Sequence, residues 1–178
     1  MSIMRRIGVV AGAVVLSGTA ISVASAVADD EHAVRDADVA FRAKAQNELY
    51  DTNLAHPKGT GVTTETPELG VASQSWRFKK VAETHEGTGV FTIEADTSTG
   101  LCITNDGSDR PVLLEKCNDG NMAQRWFVNS GLEHSTIVSE KNKNEALAAE
   151  GAGQAVRLVE VFGKPNVNQL WTFIYSGQ

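Results

Sequence analysis

Short apolar runs alternate with clusters of Gly, Asn, Asp and Pro from about residue 41 onwards. Within several runs the apolar side chains recur at every second position, as in Trp76 and Phe78. A period of two places such side chains on one face of a β-strand. The polar clusters contain strong turn signals, for example Asp106-Gly107,. Several short strands separated by turns predict an all-β fold.

Each of the three tryptophans follows a glutamine by two positions, although the chain holds only six glutamines. The pairs are Gln74 and Trp76, Gln124 and Trp126, and Gln169 and Trp171. A motif that recurs every 45 to 50 residues is typical of a repeat architecture with one supersecondary unit per repeat,. We therefore expect three repeats, at about residues 39–79, 80–129 and 130–175. Their glutamines and tryptophans are predicted to be structural, with the tryptophans in a shared core.

The repeats can be aligned on two apolar positions that lie nine residues apart. The aligned pairs are Phe41 and Tyr50, Ile93 and Cys102, and Ile137 and Ala146. With this alignment the first repeat has two extra residues, which turn residues between positions 55 and 59 would absorb. Residues 144–151 have helix propensity and end in glycine,. The repeat nevertheless predicts a strand there, because tertiary context commonly overrides propensity.

The first 26 residues have the pattern of a secretory signal peptide. Arg5 and Arg6 precede an uncharged apolar stretch, and Ala24-Ser25-Ala26 is a small-residue cleavage site, with a second candidate after Ala28,. A membrane anchor is disfavoured, because the apolar run is short and interrupted by polar residues. Residues 27–38 form an acidic leader. We expect it to be a solvated flexible tail, the alternative being a tail that orders on contact with a partner.

Composition limits the classes of partner and the compartment. The formal net charge is −6, and loss of the two signal-peptide arginines would make the chain more acidic still. Nucleic acid is excluded as a partner, since phosphate binding requires clustered Lys and Arg. No further stretch is long and apolar enough to span a bilayer. In an exported chain, the two cysteines are expected to be paired rather than free. The predicted location is therefore extracellular.

No motif for catalysis, metal binding or cofactor binding stands out. Glu83-Thr84-His85-Glu86 offers one histidine with flanking acids, which is too few ligands for a typical metal site,. His32, His56 and His134 are isolated in the sequence. Nucleophile-elbow, zinc-protease and phosphate-loop motifs are absent from the sequence,. We expect a protein that is not an enzyme and uses neither a metal nor another cofactor.

The three Gln-x-Trp motifs resemble those of the ricin B-chain type of lectin domain. The segment around Cys102, Cys117 and Gln124-Arg125-Trp126 resembles one subdomain of that family, including its cysteine pair. The resemblance covers about residues 39–175. It implies a β-trefoil of twelve strands, with a six-stranded barrel capped by three hairpins. It also implies a Cys102–Cys117 disulfide.

The resemblance further implies where sugar would bind. The family uses an Asp two residues after the first Cys, an aromatic residue two before the second, and an Asn–Gln pair before the Trp. In this sequence the Asp position holds Thr52, Thr104 and Ala148, and the aromatic position holds Glu65, Glu115 and Val159. The Asn position holds Ser73, Ala123 and Asn168. Only Asn168 and Gln169 remain as a candidate sugar contact, so the three usual pockets are expected to be degenerate.

Three functions stay open at this point. The first is a secreted recognition module that binds an extracellular protein, as an adaptor or accessory subunit of a larger assembly such as a toxin. The second is a lectin with an altered carbohydrate site. The third is a protease inhibitor, which is the weakest because no bait loop is evident.

Overall fold

The computed structural model describes residues 40–56, 59–97, 100–128 and 134–175. The predicted signal peptide and acidic leader lie outside the described residues. Regular structure within the described ranges consists of twelve strands and three short 3-10 helices. The strands are β1 (Ala40–Asn47), β2 (Thr52–Ala55), β3 (Thr63–Glu65), β4 (Trp76–Glu83), β5 (Gly89–Ala95), β6 (Leu101–Thr104), β7 (Leu113–Lys116), β8 (Trp126–Val128), β9 (Ile137–Ser139), β10 (Glu145–Ala148), β11 (Arg157–Glu160) and β12 (Trp171–Tyr175).

Six of these strands form a closed barrel. Antiparallel pairing runs from β12 through β1, β4, β5 and β8 to β9. An isolated bridge between Ser135 and Trp171 joins the β9 side back to β12. Closure removes the open strand edges that would otherwise template pairing with other chains.

The other six strands form three hairpins that cap one end of the barrel. They are β2–β3, β6–β7 and β10–β11. Isolated bridges join each hairpin to the other two: Gly61 to Leu113, Thr63 to Ala155, and Pro111 to Arg157. The arrangement is the predicted β-trefoil, with one hairpin and one Gln-x-Trp motif in each repeat.

The core lies between the barrel and the cap, and the three tryptophans are its largest side chains. Trp76, Trp126 and Trp171 are each fully buried. Each indole Nε1 donates to a carbonyl oxygen of the hairpin in its own repeat, at 2.9 to 3.1 Å. The acceptors are Leu54, Ile103 and Leu147. Each tryptophan therefore contributes apolar burial and also fixes the position of its hairpin.

The indole contacts show that the sequence alignment of the first repeat is wrong. Because Leu54 is equivalent to Ile103, the residue that corresponds to Cys102 is Asn53, three residues beyond the predicted Tyr50. Nine residues separate Asn53 from Val62, so this repeat lacks the predicted two-residue insertion.

The first position of that alignment is wrong as well. In each repeat, the residue two positions after the tryptophan pairs with a buried residue of the neighbouring barrel strand. These buried partners are Ala45, Ile93 and Ile137, so Ala45 is the equivalent of the other two. Phe41 instead lies at the rim of the core, where its ring stacks on Phe78 with centroids 4.7 Å apart. The alignment placed a large apolar residue at this core position, whereas the structure has the small, fully buried Ala45 at it.

Two further observations concern local structure. Residues 145–148 form strand β10, as the repeat predicted and against their helix propensity. The motif glutamines lie outside the strands and end the 3-10 helices Ala72–Gln74, Met122–Gln124 and Val167–Gln169. The strands begin two residues later, at each tryptophan.

Candidate functional site

Each motif glutamine uses both ends of its buried amide inside its own repeat. The Nε2 atoms of Gln74, Gln124 and Gln169 donate to the carbonyl oxygens of Thr66, Lys116 and Val159, at 2.8 to 3.0 Å. Their Oε1 atoms accept from the backbone N–H groups of Glu68, Asn118 and Asn166. The amides therefore hold the loop that follows each hairpin, and buried backbone groups gain the partners they require.

The corrected register changes one of the three sugar positions. In the first repeat the family's Asp position falls on Ala55, two residues after Asn53, and not on Thr52. Ala55 is fully buried. The aromatic position stays at Glu65, which pairs with Asn53 just as Glu115 pairs with Cys102.

In the second repeat the hydroxyl at the Asp position already forms two hydrogen bonds within the protein. Thr104 Oγ1 donates to the Cys102 carbonyl oxygen at 3.1 Å and accepts from Gln124 Nε2 at 3.0 Å. Glu115, at the aromatic position, is exposed. This repeat presents a flexible carboxylate where the family has a ring.

The third repeat holds the candidate sugar contact. Gln169 is fully buried, whereas Asn168 is half-buried and donates from Nδ2 to the Ala149 carbonyl oxygen at 3.2 Å. Ala148 and Val159 occupy the acid and aromatic positions and offer no hydrogen-bonding side chain. Sugar contact by Asn168 remains a prediction, and Gln169 lies behind it with its amide in use.

The predicted disulfide is present. Cys102 and Cys117 are bonded, with Cα atoms 4.9 Å apart, and tie β6 to the loop that follows β7. The first repeat has Asn53 and Pro67 at these two positions, and Asn53 Nδ2 donates to Gln74 Oε1 at 2.7 Å. A side-chain hydrogen bond therefore takes a place near that of the covalent link in the second repeat.

Sequence reasoning missed the environments of two histidines. His56 is buried against Trp76, with ring centroids 4.9 Å apart, and its Nε2 lies 3.3 Å from Thr97 Oγ1. Burial lowers the pKa of His56, and the negative charge of Asp96 opposes that shift. The ring of His134 contacts the Glu48 carboxylate through Nδ1. Within the described ranges, no group of three or more His, Cys, Asp or Glu residues is arranged to hold a metal.

Two surface cavities are formed by described residues alone, and neither coincides with the family's sugar positions. The larger, with a volume of about 640 Å³, lies in the first repeat between β1, β12 and the loop that follows β3. We call it the repeat-one groove; its walls include Lys44, Pro67, Leu69, Val71, Ile174 and Tyr175. The smaller, about 330 Å³, is lined by polar and charged residues that include Glu48, Asp51 and His134. No sequence signal pointed to the groove, because its residues come from opposite ends of the chain.

The closed barrel, the three capping hairpins and the buried tryptophans define a β-trefoil. Residues 72–159 match the family model described as ricin-type β-trefoil lectin domain-like. The chain thus has a β-trefoil fold, and residues 72–159 are similar to a ricin-type β-trefoil lectin domain. No curated protein sequence matches the chain.

Solved structures share the fold at low sequence identity. The designed threefold-symmetric protein ThreeFoil is 19% identical, with a TM-score of 0.58, over 75% of this chain and 97% of its own. The earthworm R-type lectin C-half, solved in complex with GalNAc, is 16% identical, with a TM-score of 0.55, over 76% and 99%. A mosquitocidal holotoxin is 13% identical, with a TM-score of 0.60, over 75% of this chain but only 16% of its own length.

Within the described ranges, no helix has the length and apolar character needed to cross a membrane.

Proposed function

We propose that this protein is a secreted, non-enzymatic recognition module that binds a protein partner, as an adaptor or accessory subunit of a larger extracellular assembly. The proposal rests on which residues occupy the three positions where the family binds sugar. Ala55, Thr104 and Ala148 stand where the family has an acid, and no ring stands at the aromatic positions. A methyl or an engaged hydroxyl does not replace a charged acceptor for sugar hydroxyls.

The rest of the molecule supports a retained scaffold with a changed role. The core tryptophans are buried and hydrogen-bonded in all three repeats, so the fold does not depend on the missing sugar residues. The mosquitocidal holotoxin carries the same fold in a small part of a longer chain. That precedent is a likeness of fold and supports the accessory role only by analogy.

Calorimetric titration with galactose and lactose tests the sugar side of the proposal. We expect no saturable heat with the wild-type protein. Saturable binding that disappears in Asn168→Ala, with the thermal midpoint unchanged, would show instead that the third repeat is a working lectin site.

Affinity capture from native culture medium tests the protein side. We expect a specific protein to be retained by the immobilised wild-type chain. Recovery of no protein, together with strong binding to a cell-wall or host glycan on an array, would overturn the proposal in favour of the lectin.

A further inference from the structure

We propose that a polar cavity beside the seam where β1 meets β12 binds an arginine side chain of the protein partner, with the carboxylates of Glu48 and Asp51 as acceptors. This polar cavity, with a volume of about 330 Å³, is the smaller of the two surface cavities. Its lining residues are Gln46, Asn47, Glu48, Asp51, His134 and Thr172. The proposal rests on the proposed function, since it names the chemistry through which a protein partner would bind.

Strand pairing places an acidic residue at the same position in every repeat. The three core tryptophans pair with the last residues of β5, β9 and β1. In all three cases the next residue donates its backbone N–H to the carbonyl oxygen of the residue before the tryptophan, at 2.9 to 3.3 Å. That next residue is Asp96 after β5, Glu140 after β9 and Glu48 after β1. The three carboxylates therefore occupy equivalent positions around the barrel.

Two of these carboxylates are paired with arginine. Arg42 Nε lies 3.0 Å from Asp96 Oδ1. Arg125 contacts both oxygens of Glu140, since its Nη2 donates to Oε1 at 3.2 Å and its Nε lies 2.5 Å from Oε2. The planar fork of a guanidinium matches the two oxygens of a carboxylate in this way. The barrel thus accommodates an arginine at this position, and the chain itself contains two examples.

Glu48 has no lysine or arginine partner among the described residues. Its Oε1 contacts His134 Nδ1 and accepts from Thr172 Oγ1 at 3.2 Å, while its Oε2 makes no hydrogen bond within the described ranges. Thr172 directly follows its tryptophan, and the residue at the same position after Trp76 is Arg77. A hydroxyl therefore lies here where another repeat has a guanidinium.

The lining of the polar cavity has an excess of negative charge. Its ionisable residues are Glu48, Asp51 and His134, and no lysine or arginine is among the described residues that line it. Two carboxylates face at most one imidazolium, so the excess remains whether or not His134 is protonated. Residues 129–133 precede His134 in the chain and include no lysine or arginine. The charge of the cavity therefore favours a cationic side chain over a neutral or acidic one.

The acceptors of the polar cavity are positioned by the protein and remain accessible. Gln46 Nε2 donates to Asp51 Oδ1, and Asp51 Oδ2 makes no hydrogen bond among the described residues. Asp51 is exposed, and the side chain of Glu48 is 23% exposed. Each carboxylate thus uses one oxygen within the protein and keeps the other free. Because both side chains are already held, little conformational entropy is lost when a guanidinium binds.

Arginine matches this set of atoms better than lysine or a sugar. The free oxygens are acceptors, and a guanidinium brings five N–H donors and no acceptor. A lysine ammonium brings three donors at a single point, which suits two separate carboxylates less well. Sugar hydroxyls are neutral, so their hydrogen bonds to carboxylates are weaker than those of a cation.

NMR titration of the isotope-labelled exported protein with the tripeptide acetyl-Gly-Arg-Gly-amide tests the proposal. We expect saturable shifts of the backbone amide resonances of residues 46–51 and of Thr172. The same tripeptide with citrulline in place of arginine is the matched probe, because citrulline keeps the shape of the side chain and lacks its charge. It should cause no saturable shift, and the lysine tripeptide should bind several-fold more weakly than the arginine tripeptide.

Variants assign the binding to the carboxylates. Glu48→Gln keeps the shape of the side chain and should weaken the arginine tripeptide by about tenfold, since a charge-assisted hydrogen bond is lost. Glu115→Gln makes the same change in net charge at an exposed residue of β7 and should leave the affinity within about twofold,. Thr172→Arg supplies a guanidinium beside Glu48 from within the chain and should block the tripeptide.

The thermal midpoint of each variant separates loss of binding from loss of the fold. If Glu48→Gln lowers the midpoint strongly, Asp51→Asn replaces it as the test of the carboxylates. Asp51 has a positive φ of 50°, and asparagine adopts this conformation readily,.

Three results would refute the arginine site. They are the absence of saturable shifts with millimolar arginine tripeptide, equal binding of the citrulline tripeptide, and unchanged affinity in the carboxylate variant. Failure of this proposal is distinguishable from failure of the proposed function. A partner protein that Glu48→Gln captures as tightly as the wild type does would place the contact elsewhere and leave the proposed function standing. Sugar binding that depends on Asn168, with no protein captured, would instead identify a lectin.

Discussion

At the scale of single residues, each Gln-x-Trp motif directs its polar atoms into the protein. The glutamine amide holds the loop after the hairpin, and the indole N–H holds the hairpin itself. Both side chains are buried in all three repeats. The recurrence of the motif therefore reports on the scaffold and carries no information about a ligand.

His56 provides a residue-scale prediction about pH. Burial against Trp76 lowers its folded-state pKa below the ordinary value of 6.5. Between the folded-state and unfolded-state pKa values the unfolded chain binds the extra proton, so stability rises with pH across this window. The contribution is fully present above about 6.5 and is lost as pH falls from there through the folded-state pKa. We expect His56→Gln to flatten this part of the stability profile.

Urea denaturation at a series of pH values from neutral to mildly acidic measures the effect. His85→Gln serves as the control, because His85 is exposed. An unchanged slope in His56→Gln, with an altered slope in the control, would assign the pH dependence to a different group.

At the scale of elements, the three hairpins are fixed to their loops by different means. The second repeat uses the Cys102–Cys117 disulfide, and the first uses the Asn53–Gln74 hydrogen bond. The third has Ala146 and Val161 at the two cysteine positions and contains neither of these links, while its glutamine holds the loop as in the other repeats. The hairpin thus tolerates a covalent bond, a hydrogen bond or two apolar residues at these positions, because the buried tryptophan beneath it is the same in every repeat.

The disulfide provides an element-scale prediction about stability. The bond closes a loop with a sequence separation of 15, which in the chain-entropy model contributes about 3 kcal/mol,. We expect the double variant Cys102→Ser, Cys117→Ser to lose about that much unfolding free energy in urea denaturation. The wild-type protein under reducing conditions is the matched control and should behave in the same way.

Peptide mapping without reductant provides the chemical check. Protein recovered from the culture medium should yield one cross-linked peptide that contains both cysteines. Two free thiols in that material would contradict both the bond and the predicted extracellular location.

At the scale of the whole molecule, the three repeats are alike in the core and differ at the surface. The tryptophans and their backbone acceptors repeat with nearly constant distances. The surface differs, since Lys79, three residues after Trp76, pairs with Asp119, whereas Ile174, three residues after Trp171, lines the repeat-one groove with Leu69. A scaffold that repeats only in its core is free to vary its binding surface.

The acidic leader provides a prediction at this scale. Residues 27–39 carry five acidic residues, and a basic partner would be attracted to them,. We expect deletion of residues 27–39 to leave the thermal midpoint nearly unchanged and to slow association with a basic protein partner. The effect should shrink as salt screens the charges.

Stopped-flow association rates at low and physiological salt measure this contribution. A variant with the leader acids replaced by Asn and Gln separates charge from length. A deletion that lowers the thermal midpoint strongly would show that the leader belongs to the folded domain.

The sequence by itself predicted the all-β class, the three repeats and paired cysteines, and its resemblance to a known family implied the β-trefoil and the Cys102–Cys117 bond. Three Gln-x-Trp motifs at a regular spacing are a local pattern, and each tryptophan must be buried wherever its repeat folds. The strand at residues 145–148 was also predictable from the repeat, because its partners lie in the same hairpin.

Only the tertiary structure decided the register of the first repeat and the groove. Ala45 and Asn53 resemble neither Ile93 nor Cys102, and their equivalence rests on pairings with β12 and on the indole contact from Trp76. The groove joins Leu69 to Ile174 across more than a hundred residues of chain. Such contacts arise when the barrel closes between its first and last strands, and no local pattern in the sequence encodes that closure.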